Sequence, residues 1–264
     1  MGLEFCSLAS GSSGNCYLVK SEKTAVLVDA GISRKRIFER LASADITPDM
    51  IDAIVITHEH TDHIQGLRVT SKNCPGAEVY CSSGTFAAIA GAVNEDRCKC
   101  FKSGDEFEIG DIGVRTFRTS HDAADPVGFS FYGDGRQISI VTDTGCVTDE
   151  IVREVKGADF LGVEANHAPE QLLYGPYPYP LKMRIRGELG HLSNEDAADL
   201  LIRLEEMEPK RRNVLLSHLS GQNNSPDQAV ISVKAALECA GLHEGGDIRI
   251  GVASRKEMGP LFAV

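Results

Sequence analysis

Apolar residues in the first third of the chain fall in short runs rather than long helical stripes. Glu4–Ser10, Cys16–Lys20 and Thr24–Asp29 are β-rich and separated by Gly, Ser and Asn, so they predict three strands joined by turns. Ser33 can cap a helix reaching about Ala44, with Ile37 and Leu41 on one face. Ala53–Thr57 carries the unbroken apolar sequence Ala-Ile-Val-Ile, which suits a strand buried on both faces. In the middle third, Glu78–Cys81, Ile112–Thr119, Val127–Tyr132, Gln137–Thr142 and Phe160–Glu164 predict strands. Ser83–Ala92 and a Thr148-capped segment through Val155 predict helices. The last third alternates helix and strand. Ser193-Asn194-Glu195-Asp196 is a capping signature, with Ala197, Leu200, Leu201 and Leu204 at helical spacing after it. Ser225-Pro226-Asp227-Gln228 opens another helix, closed by Gly241. Asn213–Ser217 and Asp247–Val252 predict strands. The one irregular stretch, Leu172–Gly187, holds Tyr174, Tyr177, Tyr179 and three prolines and reads as an ordered excursion. With no repeat and no linker, a single domain over 1–264 is expected.

Composition narrows the class. A length of 264 residues suits one large α/β domain or two small ones, and 42% hydrophobic with 25% charged residues is ordinary for a globular protein. No apolar run reaches the roughly 18–20 residues that span a bilayer, so no membrane partner is expected. The opening Met1-Gly2-Leu3-Glu4-Phe5-Cys6-Ser7 lacks a basic region and a long apolar core, unlike a signal peptide. The eight cysteines are scattered and form no CxxC pair, which predicts reduced thiols in a cytoplasmic protein, acting mainly as small buried hydrophobes. Cys98-Lys99-Cys100 is the one close pair, explained by alternation on a strand. A net charge of −11 opposes nucleic-acid binding driven by the mean field alone, so such a substrate would need a local positive patch or bound cations.

The candidate chemistry lies in Thr57-His58-Glu59-His60-Thr61-Asp62-His63, directly after the buried strand. Imidazole and carboxylate together suit zinc, manganese or iron. Two histidines spaced by one can grip one ion, and the Asp-His pair after them can face a second.

This run resembles the signature of the metallo-β-lactamase superfamily, and further motifs of that set follow in order. Val28-Asp29-Ala30-Gly31, Ser120-His121-Asp122, Thr142-Asp143-Thr144-Gly145 and Leu216-Ser217-His218 each sit at a predicted strand end. The resemblance implies an α/β four-layer αββα sandwich. It implies two divalent metal ions, Zn or Mn. His58, His60 and His121 would hold the first, Asp62, His63 and His218 the second, and Asp143 would bridge them. Asp29 is expected to brace backbone or imidazole N–H groups rather than ligate. Two cations about 3.5–4 Å apart activate a shared water, which favours hydrolysis, and Asp62 is expected to orient that water. Flavodiiron relatives carry Glu at the position of His60, so electron chemistry is not expected.

Leu8-Ala9-Ser10-Gly11-Ser12-Ser13-Gly14-Asn15-Cys16, Gly190-His191-Leu192-Ser193-Asn194 and Leu216-Ser217-His218-Leu219-Ser220 with Asn223-Asn224 resemble the WalJ (YycJ) branch over nearly the whole chain. That branch implies 5′-to-3′ exonuclease action on DNA. His191 resembles the ribonuclease Z histidine that protonates the leaving oxygen, and Glu164 the carboxylate that raises its pKa. Substrate contacts are expected from Ser10, Ser12, Ser13 and Asn15, from Tyr177, Lys182, Arg184 and Arg186, and from Asn223 and Asn224. Only 74 residues lie between Asp143 and His218, too few for the clamp domain of ribonuclease J. Nucleic acid must then be held by the core, with a homodimer partner as a further option. A small-molecule hydrolase (lactonase, thioesterase or cyclic phosphodiesterase) explains the acidic charge directly. A non-catalytic interaction protein is the third reading, and the intact ligand set argues against it.

Overall fold

A computed structural model describes residues 2–242 and 248–264. The first apolar runs form β1 (Glu4–Ala9), β2 (Cys16–Lys20) and β3 (Ala25–Val28). Ser33 caps α1 (Arg34–Ala42) by accepting from the Arg36 N–H, and Ile37 and Leu41 turn to the core. The fully buried β4 (Ala53–Val55) leads into two short helices that the apolar spacing does not reveal, α2 (Thr61–Ile64) and α3 (Leu67–Asn73). Then come β5 (Glu78–Ser82), α4 (Ser83–Ala88), β6 (Cys98–Phe101), β7 (Glu106–Ile109), β8 (Ile112–Arg118), β9 (Val127–Gly133) and β10 (Arg136–Val141). The remainder is α5 (Asp149–Val155), β11 (Phe160–Glu164), α6 (Pro169–Tyr174), α7 (Tyr179–Arg186), α8 (Asn194–Met207), β12 (Arg212–Ser217), α9 (Pro226–Cys239), β13 (Ile248–Val252) and β14 (Phe262–Ala263). Asp247, the first residue of the predicted last strand, lies outside the described residues.

Two expectations change. The helix expected over Ser83–Ala92 is capped by Ser82, which accepts from the Thr85 N–H, and stops at Ala88. The excursion at 172–187 is mostly helical, because Pro169 and Pro180 occupy first-turn positions of α6 and α7, where a missing N–H costs nothing and the fixed φ suits the helix.

The chain divides into two compact units. The first gathers the described residues of 1–118, 123–137 and 254–264. Its mixed sheet runs β14-β1-β2-β3-β4-β5-β6, antiparallel as far as β3 and parallel from β3 to β6. One face of this sheet meets a cluster that includes Leu8, Leu18, Leu27, Ile37, Leu41, Ile54 and Leu67. The antiparallel run β7-β8-β9 belongs to the same unit, and the Phe107 ring stacks on Tyr80 of β5 at 5.0 Å.

The second unit gathers the described residues of 119–122 and 138–253. Here β10, β11, β12 and β13 run parallel, with Ile138 beside Phe160, Phe160 beside Asn213 and Arg212 beside Ile248. Ser193 and Asp196 complete the capping box of α8, which buries Ala197, Leu200, Leu201 and Leu204 and packs on α9. Arg212 is fully buried, and its Nε donates to Glu205 at 2.8 Å. No helix among the described residues is long and apolar enough to cross a membrane.

Candidate active site

In the first unit the histidine run starts where β4 ends. Asp29, just past the parallel neighbour β3, sits at φ 62° and is completely buried. Its Oδ1 accepts from the Thr57 N–H at 2.9 Å, and its Oδ2 accepts from the Thr57 hydroxyl at 2.9 Å and from His63 Nδ1 at 2.7 Å. The Thr57 hydroxyl has spent its proton on Asp29, so it can only accept from His58 Nδ1, 3.0 Å away. The His58 ring lies 4.6 Å from that of His60 and 4.2 Å from that of His63. His60 is the N-cap residue of α2, and Asp62 lies in its first turn. Gly31 permits this packing: a Cβ there would stand 1.7 Å from the Asp62 carbonyl oxygen. That oxygen accepts from the Asn15 N–H at 2.8 Å, and the His63 carbonyl accepts from the Ala30 N–H at 2.8 Å.

The second unit presents its groups in the same way, beyond strand ends. Asp143 follows β10 at φ 59° and His218 follows β12 at φ 55°. His121 is buried, its Nδ1 donates to the Gly190 carbonyl at 2.9 Å, and its Nε2 lies 3.7 Å from Asp143. Burial lowers the His121 pKa, opposed in part by the Asp143 charge, and the net downward shift favours the neutral imidazole that can ligate. Glu164, at the end of β11, is completely buried. Its Oε1 accepts from His191 Nδ1 at 2.7 Å and from His218 Nδ1 at 2.8 Å, and its Oε2 from the N–H groups of Thr144 at 3.1 Å and Leu192 at 3.3 Å. Burial pushes this carboxyl up, but the His191 charge and the two imidazole hydrogen bonds outweigh it and hold the pKa at about 2. For His191 burial lowers the pKa, and the charge and hydrogen bond of Glu164 reverse the sign, so the net shift is upward. Asp143, Glu164, His191 and His218 each offer a ligand atom within 4.8 Å of the others.

The residues fit a divalent metal. His58, His63, His121 and His218 each have Nδ1 engaged by a hydroxyl, carboxylate or carbonyl of their own unit. That fixes one tautomer and leaves the Nε2 lone pair as the donor, the arrangement by which proteins orient imidazole ligands. Nitrogen and carboxylate oxygen donors suit zinc and manganese alike.

Several expected substrate contacts have other tasks. Ser10 is buried and its hydroxyl pairs with the Tyr17 hydroxyl at 2.8 Å. Asn15 is buried, and its Nδ2 lies 3.1 Å from His63 Nε2 and 3.4 Å from Asp62 Oδ2 while its Oδ1 accepts from the Gly11 N–H. Asn223 and Asn224 are buried too. Asn224 Nδ2 donates to the Ala165 carbonyl and to Asn194 Oδ1, tying β11 to α8, and Asn223 Nδ2 donates to Ser220. These four side chains are buried within their units, and Asn223 Oδ1 has no hydrogen-bond partner there. Arg184 forms a two-point ion pair with Asp122, at 2.6 and 2.9 Å. Ser12 and Ser13 are exposed, and Tyr177 is half-buried. Lys182 and Arg186 line a cavity of about 490 Å³ beside His191, together with His167 and Tyr174. His167 has no signal in the sequence, being one histidine among eight. It is 2% exposed, its Nδ1 has no partner, and burial pushes its pKa down to about 4. Thr57 and the Gly190 carbonyl were also missed, although each adjoins a motif histidine.

Residues 24–219 match the family described as the beta-lactamase superfamily domain. The chain belongs to this superfamily, the metallo-β-lactamase-fold hydrolases, and has its α/β sandwich fold. It is 38% identical over its whole length to "Exodeoxyribonuclease WalJ" of Streptococcus pneumoniae serotype 2 (strain D39 / NCTC 7466), covering 99% of that protein. It is 38% identical over 93% of its length to "Exodeoxyribonuclease YycJ" of Bacillus anthracis, again covering 93%. It falls in the WalJ-like branch. The crystal structure of the metallo-beta-lactamase fold protein YhfI from Bacillus subtilis covers 98% of this chain and all of its own, with a TM-score of 0.75 at 14% identity.

Proposed function

We propose that this chain is a metal-dependent exodeoxyribonuclease that removes nucleotides from the 5′ end of DNA. The observation that carries the reading is the Glu164–His191 pair, 2.7 Å apart at the edge of a solvent cavity. A phosphodiester expels a poor alkoxide, which benefits from a proton in the transition state. The His191 side chain is partly exposed, and the Glu164 carboxylate shifts its pKa upward, which favours the protonated imidazole beside the cavity. Glu164 keeps it oriented, and its second oxygen is pinned by two backbone N–H groups so the pair cannot swing away. The names of the relatives point the same way.

His58, His60 and His121 would hold one divalent ion, Asp62, His63 and His218 a second, and Asp143 would join both. When bound, such ions would supply charge stabilisation and a nucleophilic water at neutral pH. Asp29, Thr57, Gly190 and Glu164 keep the imidazoles in the ligating tautomer, and Asp62 orients the attacking water. His191 delivers its proton from Nε2 to the departing 3′ oxygen.

The test uses single- and double-stranded DNA and RNA labelled at either end, with Mn²⁺ or Zn²⁺. The reading expects DNA labelled at the 5′ end to release its label first, as a mononucleotide. Label released first from the 3′ end, internal cuts, or turnover of a lactone or thioester panel in place of DNA would overturn it.

A further inference from the structure

All eight cysteines are free thiols, and three of them meet on the first unit's sheet. In the parallel pair β5–β6, Val79 stands beside Cys98 and Cys81 beside Cys100. The two-residue period of a strand puts Cys98 and Cys100 on one face, and Cys81 joins them across the ladder. The Sγ atoms of Cys81 and Cys98 are 3.6 Å apart, and all three sulfurs lie within 4.8 Å of one another. Packing accounts for Cys81, which is completely buried, but not for Cys100, which is exposed on the terminal strand of the sheet.

We propose that Cys81, Cys98 and Cys100 form a binding site for one thiophilic d¹⁰ cation of the class of Zn²⁺, Cd²⁺ and Cu⁺, apart from the histidine–carboxylate centre. Sulfurs bound to one tetrahedral ion at about 2.3 Å stand roughly 3.8 Å from each other. The Cys81–Cys98 spacing of 3.6 Å is therefore already near what coordination needs, and the parallel register brings Cys100 to the same face before any ion arrives. Cys100 opens the cluster to solvent, which leaves water for the fourth position. Soft sulfur donors separate this site from the harder imidazole and carboxylate set. On binding, each S–H bond breaks, its proton passes to solvent and its electron pair forms the bond to the cation, with no change of oxidation state. Cys98 is the thiol readiest to lose its proton: its hydrogen bond with Cys81 outweighs burial and lowers its pKa, whereas those of Cys81 and Cys100 are raised.

The test is a Cd²⁺ titration of the full chain, reduced and stripped of metal without oxygen. It is followed by the ultraviolet thiolate-to-cadmium charge-transfer band and by proton release. One Cd²⁺ per chain should give the band and release about three protons at that step. Cys98→Ser/Cys100→Ser should lose the band, Cys146→Ser/Cys239→Ser should keep it, and Cys100→Ser alone, at an exposed position, should weaken Cd²⁺ at least tenfold. Unchanged thermal unfolding of the single variant shows that the fold is intact. A silent wild type, a band that survives in Cys98→Ser/Cys100→Ser, or thiols restored by a reductant and not by a chelator would overturn the proposal.

Discussion

Three residues of the candidate site, Asp29, Asp143 and His218, adopt left-handed backbone at strand ends, with φ of 62°, 59° and 55°. Such conformations cost about 1–3 kcal/mol each in a non-glycine residue and persist where surrounding contacts over-determine them. At Asp29 and His218 those contacts include the hydrogen bonds that also select the imidazole tautomers. His191 has a different task, donating a proton, and His191→Ala should leave metal content unchanged while slowing DNA hydrolysis roughly 10²–10⁴-fold. Bis-p-nitrophenyl phosphate, whose leaving group needs no proton, should be slowed far less, and equal slowing of both substrates would remove the acid role. His167 gives a stability test. Its folded pKa of about 4 lies below the ordinary 6.5, so the unfolded chain binds the proton more tightly. Its contribution is present above pH 6.5 and is lost as pH falls toward 4, by about 3 kcal/mol. His167→Gln should flatten that part of the pH–stability curve in urea unfolding, and parallel curves would show that His167 does not titrate there.

At the scale of elements, the candidate residues sit on loops that leave strand ends, β3 and β4 in the first unit and β10, β11 and β12 in the second, where a buried strand fixes the backbone and the first residue beyond it is free to turn. These strand ends were legible, because short apolar runs stop at Asp29, Thr57, Asp143, Glu164 and His218. Helices α6 and α7 were not, since prolines read as breaks until their first-turn positions are known. The pairing of α8 with β12 was also invisible: Arg212 and Glu205 are separated by a turn and look like ordinary surface charges. In the fold Arg212 is sealed, with its Nε on Glu205 and its Nη2 on the Glu208 carbonyl. Glu205→Ala leaves a buried cation unpaired and should cost about 3–5 kcal/mol in urea unfolding. Asp149→Ala, which breaks the exposed Arg203–Asp149 pair, should change the midpoint too little to resolve. A comparable loss from both would mean that burial does not set the value of the Arg212 pair.

For the whole molecule, the proposed ligand set draws on residues far apart in the chain, His58, His60, Asp62 and His63 followed by His121, Asp143 and His218. A cation that binds the folded chain alone stabilises it by about 3 kcal/mol at free metal roughly 100 times Kd. Stripping the protein with chelator should therefore lower its melting temperature, and Zn²⁺ or Mn²⁺ should restore it. No shift in either direction would count against the centre. The net charge of −11 belongs to this scale as well, because unneutralised carboxylates near the site repel both one another and a nucleic acid.

The sequence by itself determined most of the strands, the longer helices, the superfamily and the run of ligand-type residues, since these depend on local period and on short motifs whose spacing carries the chemistry. Only the tertiary structure decided which neighbour fixes each imidazole, that Asn15, Asn223 and Asn224 are buried, and that Cys81 meets Cys98 and Cys100. Those contacts join residues far apart in the chain. Strand register and burial set them, and neither is written in any short stretch of sequence.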